Sequence, residues 1–258
     1  MRYYQDHQVL FWTYLQNWPL IFRDDVNANA LNHYWSLAIE EQYYLVWPLI
    51  VLLIKKPKGI IIFCISLLVL MIAARIYIWN NAEDFPAYER AFLFTRVDGI
   101  LIGSMLAAIC FINSSFLRKY FTTFLLILTV GNYLFYLLKK NLQPDFPVWA
   151  IAGFTTFSFV FALAIYEAVM KENKFINLVF TNPALTSLGK YSYSIYIFHW
   201  PITLMMTQFF SNLMQSLIKP NIWQQIGTGI LCTMTAIVIS VLSYHLFEKH
   251  FLKLKKYF

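Results

Sequence analysis

The sequence predicts an all-α protein, a polytopic transmembrane helical bundle with about seven spans. Two compositional facts and one pattern lead there. Of its 258 residues, 59% are hydrophobic and only 13% charged, with a mean hydropathy of +0.56, whereas soluble domains run near 45–50% apolar and about 25% charged. Seven apolar runs approach the roughly 20 residues that a helix needs to cross the hydrocarbon core. Strand alternation is absent from these runs, and Gly and Ala occur inside them, which fits helices and not barrel strands. An aromatic share of 19% excludes disorder, and the lack of a glycine period or of dense cysteines excludes collagen-like and disulfide-scaffold classes.

The elements follow in order. Residues 1–34 supply no span, because the stretch from Val9 to Phe22 is short and interrupted by Gln16, Asn17 and Pro19. An interfacial or re-entrant helix in an outer-face loop is the expectation there. The spans are then Trp35 to Ile54, Gly59 to Trp79, Phe92 to Ile112, Phe121 to Leu138, Val148 to Val169, Tyr191 to Phe210, and Trp223 to Phe247. No fixed-period repeat appears and the loops are too short for a second domain, so residues 35–258 read as a single transmembrane domain. Cys64, Cys110 and Cys232 all fall in apolar runs, where thiols act as small hydrophobes, and indicate neither a disulfide framework nor a metal site.

Orientation follows from basic residues in the short loops. One side collects twelve, among them Lys55, Lys56, Lys58, Arg118, Lys119 and Lys253, and the other six, Arg2, Arg23, Arg90, Lys139, Lys140 and Lys219. The richer side is expected in the cytoplasm, which places the C-terminus inside and residues 1–34 outside. The net charge of +7 is explained by this topology, since the basic residues form no face of the kind that binds nucleic acid. An odd number of spans with an outer N-terminus and no signal peptide leads to the expectation that an upstream portion is missing.

Ionisable side chains at the centre of a membrane helix cost about 2.5–3.5 kcal/mol on insertion scales, so those present there mark the places to look. In the first span, Glu40, Glu41 and Gln42 interrupt an apolar helix. Helical spacing aligns Ser36, Glu40, Tyr43 and Trp47 on one face and Leu37, Glu41, Tyr44 and Pro48 on its neighbour. In the third span, Arg96 and Asp98 are two residues apart, the wrong spacing for an intrahelical pair, and should seek partners on other helices. Gly99 and Gly103 form a G-x-x-x-G step that permits close helix approach. At 1.5 Å per residue, Glu40, Glu41, Arg96 and Asp98 all lie roughly 6–9 Å below the outer ends of their helices. A polar cluster opening outward and a buried structural ion-pair network both fit that depth. His199 lies roughly 13 Å from the inner end of the sixth span, near mid-membrane, beside the helix-kinking Pro201. It reads either as a hydrogen-bonded core histidine or as a functional one. Glu248 sits at the last inner boundary, where a simple helix end serves equally well as an explanation.

These residues resemble a known family. The segment Trp35-Ser36-Leu37-Ala38-Ile39-Glu40-Glu41-Gln42-Tyr43-Tyr44-Leu45-Val46-Trp47-Pro48 is similar to the W-S-L-x-x-E-E-Q-F-Y-L-x-W-P signature of the membrane acyltransferase-3 family, which O-acylates surface glycans. Arg96-Val97-Asp98-Gly99-Ile100-Leu101-Ile102-Gly103, Tyr193 through Pro201, and Ser243-Tyr244 with Glu248 resemble three further family motifs in family order. The resemblance implies ten spans, of which seven are here, and an Arg followed eleven residues later by a catalytic His. Arg23 and His33 come nearest to that pair, at a spacing of ten. An N-terminally truncated family member is therefore the expectation.

The resemblance also implies the chemistry. An acyl group, usually acetyl, moves from a cytoplasmic acyl-CoA co-substrate to a hydroxyl of a cell-surface glycan, with no bound cofactor and no metal. A His removes the hydroxyl proton, a carboxylate orients it, and cations stabilise the developing oxyanion. On this chain the implied catalytic set is Glu40, Glu41, Arg96, Asp98 and His199, with Asp98 fixing Arg96. Trp35, Ser36, Tyr43, Tyr44 and Glu248 are the implied substrate-binding residues. The partners are the acyl-CoA donor, the glycan acceptor and membrane lipids, and the implied setting is the bacterial cytoplasmic membrane. Two rivals remain open, a secondary transporter of a glycan or anion and a noncatalytic fragment. No Gly-rich phosphate loop supports nucleotide-driven transport.

Overall fold

The computed structural model describes residues 5–19, 31–81, 93–113, 115–142, 153–170, 174–214, 222–254 and 256. Every regular element among them is helical: α1 (Gln8–Trp12), a 3-10 turn (Asn32–Tyr34) leading into α2 (Trp35–Ile54), α3 (Pro57–Asn81), α4 (Leu93–Arg96), α5 (Asp98–Asn113), α6 (Ser115–Leu142), α7 (Phe154–Met170), α8 (Lys174–Phe180), α9 (Pro183–Lys190), α10 (Ser192–Met214), α11 (Ile222–Ser243), a π-helical turn (Tyr244–Glu248) and α12 (Lys249–Leu254). Each of the seven predicted runs is helical in its described part. Three helical stretches, residues 32–54, 57–81 and 222–254, are long and apolar enough to cross a membrane, and α5 and α7 are shorter apolar helices. The chain is an all-α integral membrane protein.

Contacts divide it into two compact units, residues 1–27 with 35–177, and residues 28–34 with 178–258. In the first, α5 packs against α3 and α7. The core comprises Ile39 and Tyr43 from α2, Cys64, Leu68 and Met71 from α3, Leu101 and Ile102 from α5, and Ala162 from α7, together with Val97. The turn between α2 and α3 is made by Lys55, which takes the left-handed conformation at φ 58°. The turn is so tight that a Cβ on Gly59 would lie 2.6 Å from Ile54 Cγ2, so that position needs glycine. Lys55 and Lys56 are the two residues that connect the helices, which touch one another.

The predicted third span is divided between α4 and α5 at Val97. The reason lies in two redirected backbone groups. The Thr95 carbonyl accepts from Arg75 Nε at 2.9 Å, and the Gly99 N–H donates to Asp98 Oδ1 at 3.1 Å. Of the G-x-x-x-G step only half is used. A Cβ on Gly99 would meet Ser158 Oγ of α7 at 3.3 Å, whereas one on Gly103 would meet nothing within 4 Å.

The short α1 is expected in the loop of residues 1–34, and it is tied to the first span from the side. Gln42 Nε2 donates to the Tyr14 carbonyl at 2.6 Å and to Asn17 Oδ1 at 2.9 Å, and Asn17 is buried. The Gln42 amide N–H groups thus find acceptors although the residue sits in an apolar helix.

In the second unit α10 packs along α11. The buried residues of α11 are Cys232, Ala236 and Ser240, small side chains four apart on one stripe, which let the backbones approach closely. Ser240 closes its hydroxyl on the Ala236 carbonyl at 2.6 Å. Helix α9 starts on an Asn182 cap whose Oδ1 accepts from Ala184 N at 2.9 Å, with Pro183 at the first helical position. The three cysteines are free thiols, with Cys64 and Cys232 buried.

Candidate active site

Helix α3 buries Cys64, Leu68, Met71 and Arg75, positions at steps of four and three on one face. The stripe that faces the core therefore ends in an arginine, which is costly unless its donors are met. They are. Arg75 Nη2 pairs with Asp98 Oδ2 at 3.0 Å, Nη1 donates to Thr155 Oγ1 at 2.9 Å, and both Nε and Nη2 reach the Thr95 carbonyl. The Thr155 hydroxyl in turn donates to Asp98 Oδ2 at 2.7 Å. Three helical segments, α3, α4–α5 and α7, are joined through one closed network.

That network corrects one expectation. Asp98 does seek a partner on another helix, but the partner is Arg75 and not Arg96. Arg96 is held on aromatic faces, its guanidinium carbon 4.1 Å from the Phe154 ring centroid and 5.3 Å from that of Trp35, a cation–π setting for the charge. Trp35 is thereby placed beside Arg96, as an implied substrate-binding residue next to an implied catalytic one.

Glu40 and Glu41 are half-buried on α2. Among the described residues neither carboxylate makes a hydrogen bond or ion pair, and Arg75–Asp98 is the ion pair found there. The outward Glu/Arg/Asp cluster thus resolves into a satisfied Arg75–Asp98 network, an aromatic-bound Arg96 and two carboxylates whose charge no described cation matches. On the neighbouring positions of α2, Tyr43 is buried, shares a hydrogen bond of 2.8 Å with Ser104 Oγ and stacks on Trp47 at 5.0 Å and 18°. The stack is what a spacing of four on a helix provides. Ser36 is half-buried and Tyr44 is exposed.

In the second unit His199 Nδ1 lies 2.6 Å from the Tyr196 carbonyl one turn earlier. A carbonyl only accepts, so His199 carries a proton on Nδ1, and in the neutral ring the lone pair is at Nε2. That is the tautomer of a base directed away from its own helix. Its ring meets the His33 ring at a centroid separation of 5.0 Å and 75°. Glu248, in the π-helical turn, accepts from Ser194 Oγ and from Ser243 Oγ at 3.3 Å, so it ties α10 to the end of α11. Near it, Lys190 Nζ stands 4.7 Å from the Tyr244 ring centroid, and Tyr191 Oη and His245 Nε2 are 3.3 Å apart.

Two participants escape the sequence reading. Arg75 is the single cation inside the apolar run from Gly59 to Trp79, a visible signal for an intramembrane partner of Asp98. Thr155 carries no such signal, because hydroxyls are common in membrane helices. Arg23, the nearest candidate for the family's Arg-to-His pair, lies outside the described residues, as do the orientation-bearing Arg2, Arg90 and Lys219. No group of three His, Cys, Asp or Glu side chains suited to a metal ion occurs among the described residues.

Apolar helices that bury an Arg–Asp–Thr network in one unit and carry a histidine bonded to its own helix in the other define a class, an integral membrane protein with polar groups inside its helical bundle. Comparison with known proteins makes the class specific. Residues 3–245 match the acyltransferase domain family, and the chain belongs to that family. It is 31% identical over 212 residues to the O-acetyltransferase OatA of Staphylococcus aureus (strain NCTC 8325 / PS 47), covering 76% of this chain and 34% of that protein. It is 25% identical over 251 residues to the peptidoglycan O-acetyltransferase OatA of Listeria monocytogenes serovar 1/2a (strain ATCC BAA-679 / EGD-e), covering 91% and 38%. It is 26% identical over 248 residues to the putative peptidoglycan O-acetyltransferase YrhL of Bacillus subtilis (strain 168), covering 92% and 38%. The alignments thus span a little over a third of the length of these relatives. No solved structure matches the chain.

Proposed function

We propose that this protein transfers an acyl group, acetyl in the simplest case, from acyl-CoA to a hydroxyl of a cell-wall glycan at the bacterial cytoplasmic membrane. The observation that carries the reading is family membership over residues 3–245, supported by relatives named as O-acetyltransferases, two of them of peptidoglycan. The residue chemistry agrees with it. Acyl transfer to an alcohol needs a base for the hydroxyl proton and positive charge for the oxyanion. His199 offers a lone pair at Nε2 with Nδ1–H held by Tyr196, and Arg96 offers a guanidinium held on two rings.

Each residue then has an assigned task. In the second unit His199 takes the hydroxyl proton; in the first unit Arg96 contributes positive charge, and Glu40 and Glu41 are the carboxylates assigned to catalysis. Asp98 acts through Arg75 and Thr155, by holding the helices that carry Arg96 and Phe154. Trp35, Ser36, Tyr43 and Tyr44 of the first unit, and Glu248 of the second, are each assigned to substrate binding. Acyl-CoA and the glycan are the partners, and the C-terminus lies in the cytoplasm.

The test is acetyl transfer from radiolabelled acetyl-CoA to peptidoglycan in membranes carrying the protein. Labelled O-acetyl ester on the glycan supports the reading. Label taken up into vesicles as intact substrate, with no ester formed, favours the transporter alternative.

A further inference from the structure

The second unit brings together two imidazoles, His33 and His199, not all of whose polar atoms the fold accounts for. His33 lies in the 3-10 turn ahead of α2, and its ring stands against that of His199 with centroids 5.0 Å apart and planes at 75°. Tyr196 binds both residues. Its hydroxyl donates to the His33 carbonyl at 2.6 Å, and its carbonyl accepts the His199 Nδ1–H at 2.6 Å. His199 therefore has one free function, the lone pair at Nε2. Both His33 ring nitrogens are buried and neither closes a hydrogen bond of full geometry; the Tyr196 and Ile197 carbonyls act on the ring as backbone acceptors, which leaves the ring's lone pair unmatched and its N–H weakly held. Pro201 stands four residues after Ile197 and has no N–H, so the Ile197 carbonyl also lacks its ordinary helical donor.

A neutral imidazole has one N–H donor and one lone pair, and burying either unmatched, as at His33, costs about 1–3 kcal/mol. Natural structures keep such unmatched groups chiefly where function uses them. The chemical complement of this pair is definite. A hydroxyl group donates once and accepts twice. Its O–H fits the His199 Nε2 lone pair, and one of its own lone pairs fits the His33 N–H.

We propose that His33 and His199 form the subsite for the reacting hydroxyl of the acceptor, with Tyr196 as the positioning residue for both. This rests on the acyl-transfer reading above. Centroids 5.0 Å apart allow one oxygen to lie about 2.7–3.0 Å from a nitrogen of each ring. In the step, that oxygen forms a bond to the acyl carbon, and the bond from the acyl carbon to the donor sulfur breaks, its electron pair leaving on the sulfur. The hydroxyl proton passes to His199 Nε2 and from there to the departing thiolate. The His33 N–H stays on the oxygen and fixes which lone pair attacks. Tyr196 sets the His199 tautomer through its carbonyl and the His33 backbone through its hydroxyl.

The experiment measures initial rates of acetyl transfer from radiolabelled acetyl-CoA against the concentration of soluble peptidoglycan strands, in membranes carrying wild type, His33→Phe, His33→Asn or Tyr196→Phe at matched abundance. His33→Phe keeps a ring and loses the N–H, and is expected to raise the acceptor KM about tenfold or more, since tenfold corresponds to about 1.4 kcal/mol, the scale of one hydrogen bond. The donor KM is expected to stay in place. His33→Asn returns a donor and recovers part of the loss, and Tyr196→Phe falls between the two. The subsite is overturned, with acyl transfer intact, if His33→Phe matches wild type in acceptor KM and kcat. It is equally overturned if donor and acceptor KM worsen together in the Phe and Asn variants alike. Absence of any transfer by abundant wild-type protein overturns the acyl-transfer reading, and the subsite with it.

Discussion

The guanidinium of Arg75 and the carboxylate of Asp98 meet at 3.0 Å in the interior of the first unit, their side chains 0% and 5% exposed. A pair so buried contributes little net stability when intact, because desolvation offsets attraction, but breaking it leaves one charge stranded. Thr155 and the Thr95 carbonyl take up the remaining valences, which makes this network the joint between α3, α5 and α7.

Arg75→Ala is therefore expected to destabilise the protein by about 3–5 kcal/mol. The thermal unfolding midpoint of the detergent-solubilised protein reads this out. Replacing both partners with apolar side chains of similar volume, Arg75→Met with Asp98→Leu, is expected to recover most of the loss. Equal destabilisation by the single and double changes would show that no stranded charge is involved.

Tyr43→Phe removes a hydrogen bond to Ser104 while keeping the stack on Trp47. The expected cost is about 0.5–1.5 kcal/mol, the net worth of one such bond. Ser104→Ala should cost a similar amount, and the two together less than their sum, as a double-mutant cycle on unfolding midpoints would reveal.

The glycines of the third predicted span separate in the same assay. Gly99→Leu drives a side chain into Ser158, which already lies at Cβ contact distance, and overpacking of this kind costs about 1–3 kcal/mol. Gly103→Ala meets open space and is expected to change stability by no more than about 0.5 kcal/mol. Equal sensitivity at both positions would contradict the packing described.

Much of the first unit was legible before any coordinates. Length and hydropathy alone set α2 at Trp35–Ile54 and located the helical part of every other predicted run. Tertiary pairing was not legible. The spacing of Arg96 and Asp98 correctly sends Asp98 to another helix, but which cation waits there depends on how α3 turns its Arg75 toward the core. The G-x-x-x-G pattern likewise marks a place where helices can approach, while only the packed structure reveals that Gly99 is used and Gly103 is not. At the histidines the sequence offers depth and a neighbouring proline. The contact between His33 and His199, 166 positions apart, rests on a fold-level juxtaposition that no local pattern encodes.

The orientation expected from the loop charges has its own test. Lys139 and Lys140 are expected to face outward despite their charge, so a cysteine placed at Asn141 in a background lacking the three native cysteines should react with an impermeant thiol reagent applied to intact cells. Labelling only after the cytoplasmic side is exposed would invert the topology.

The central claim is acyl transfer, and its most direct measurement is radiolabelled acetyl transfer from acetyl-CoA to peptidoglycan in membranes carrying wild type, Glu40→Gln or Arg96→Ala at equal abundance. Wild type is expected to form an alkali-labile O-acetyl ester, and each variant to lose about 100-fold or more in rate, the scale of one removed electrostatic contact in a transition state. An inactive wild type that is correctly inserted would contradict the account, and full activity in both variants would remove Glu40 and Arg96 from the chemistry.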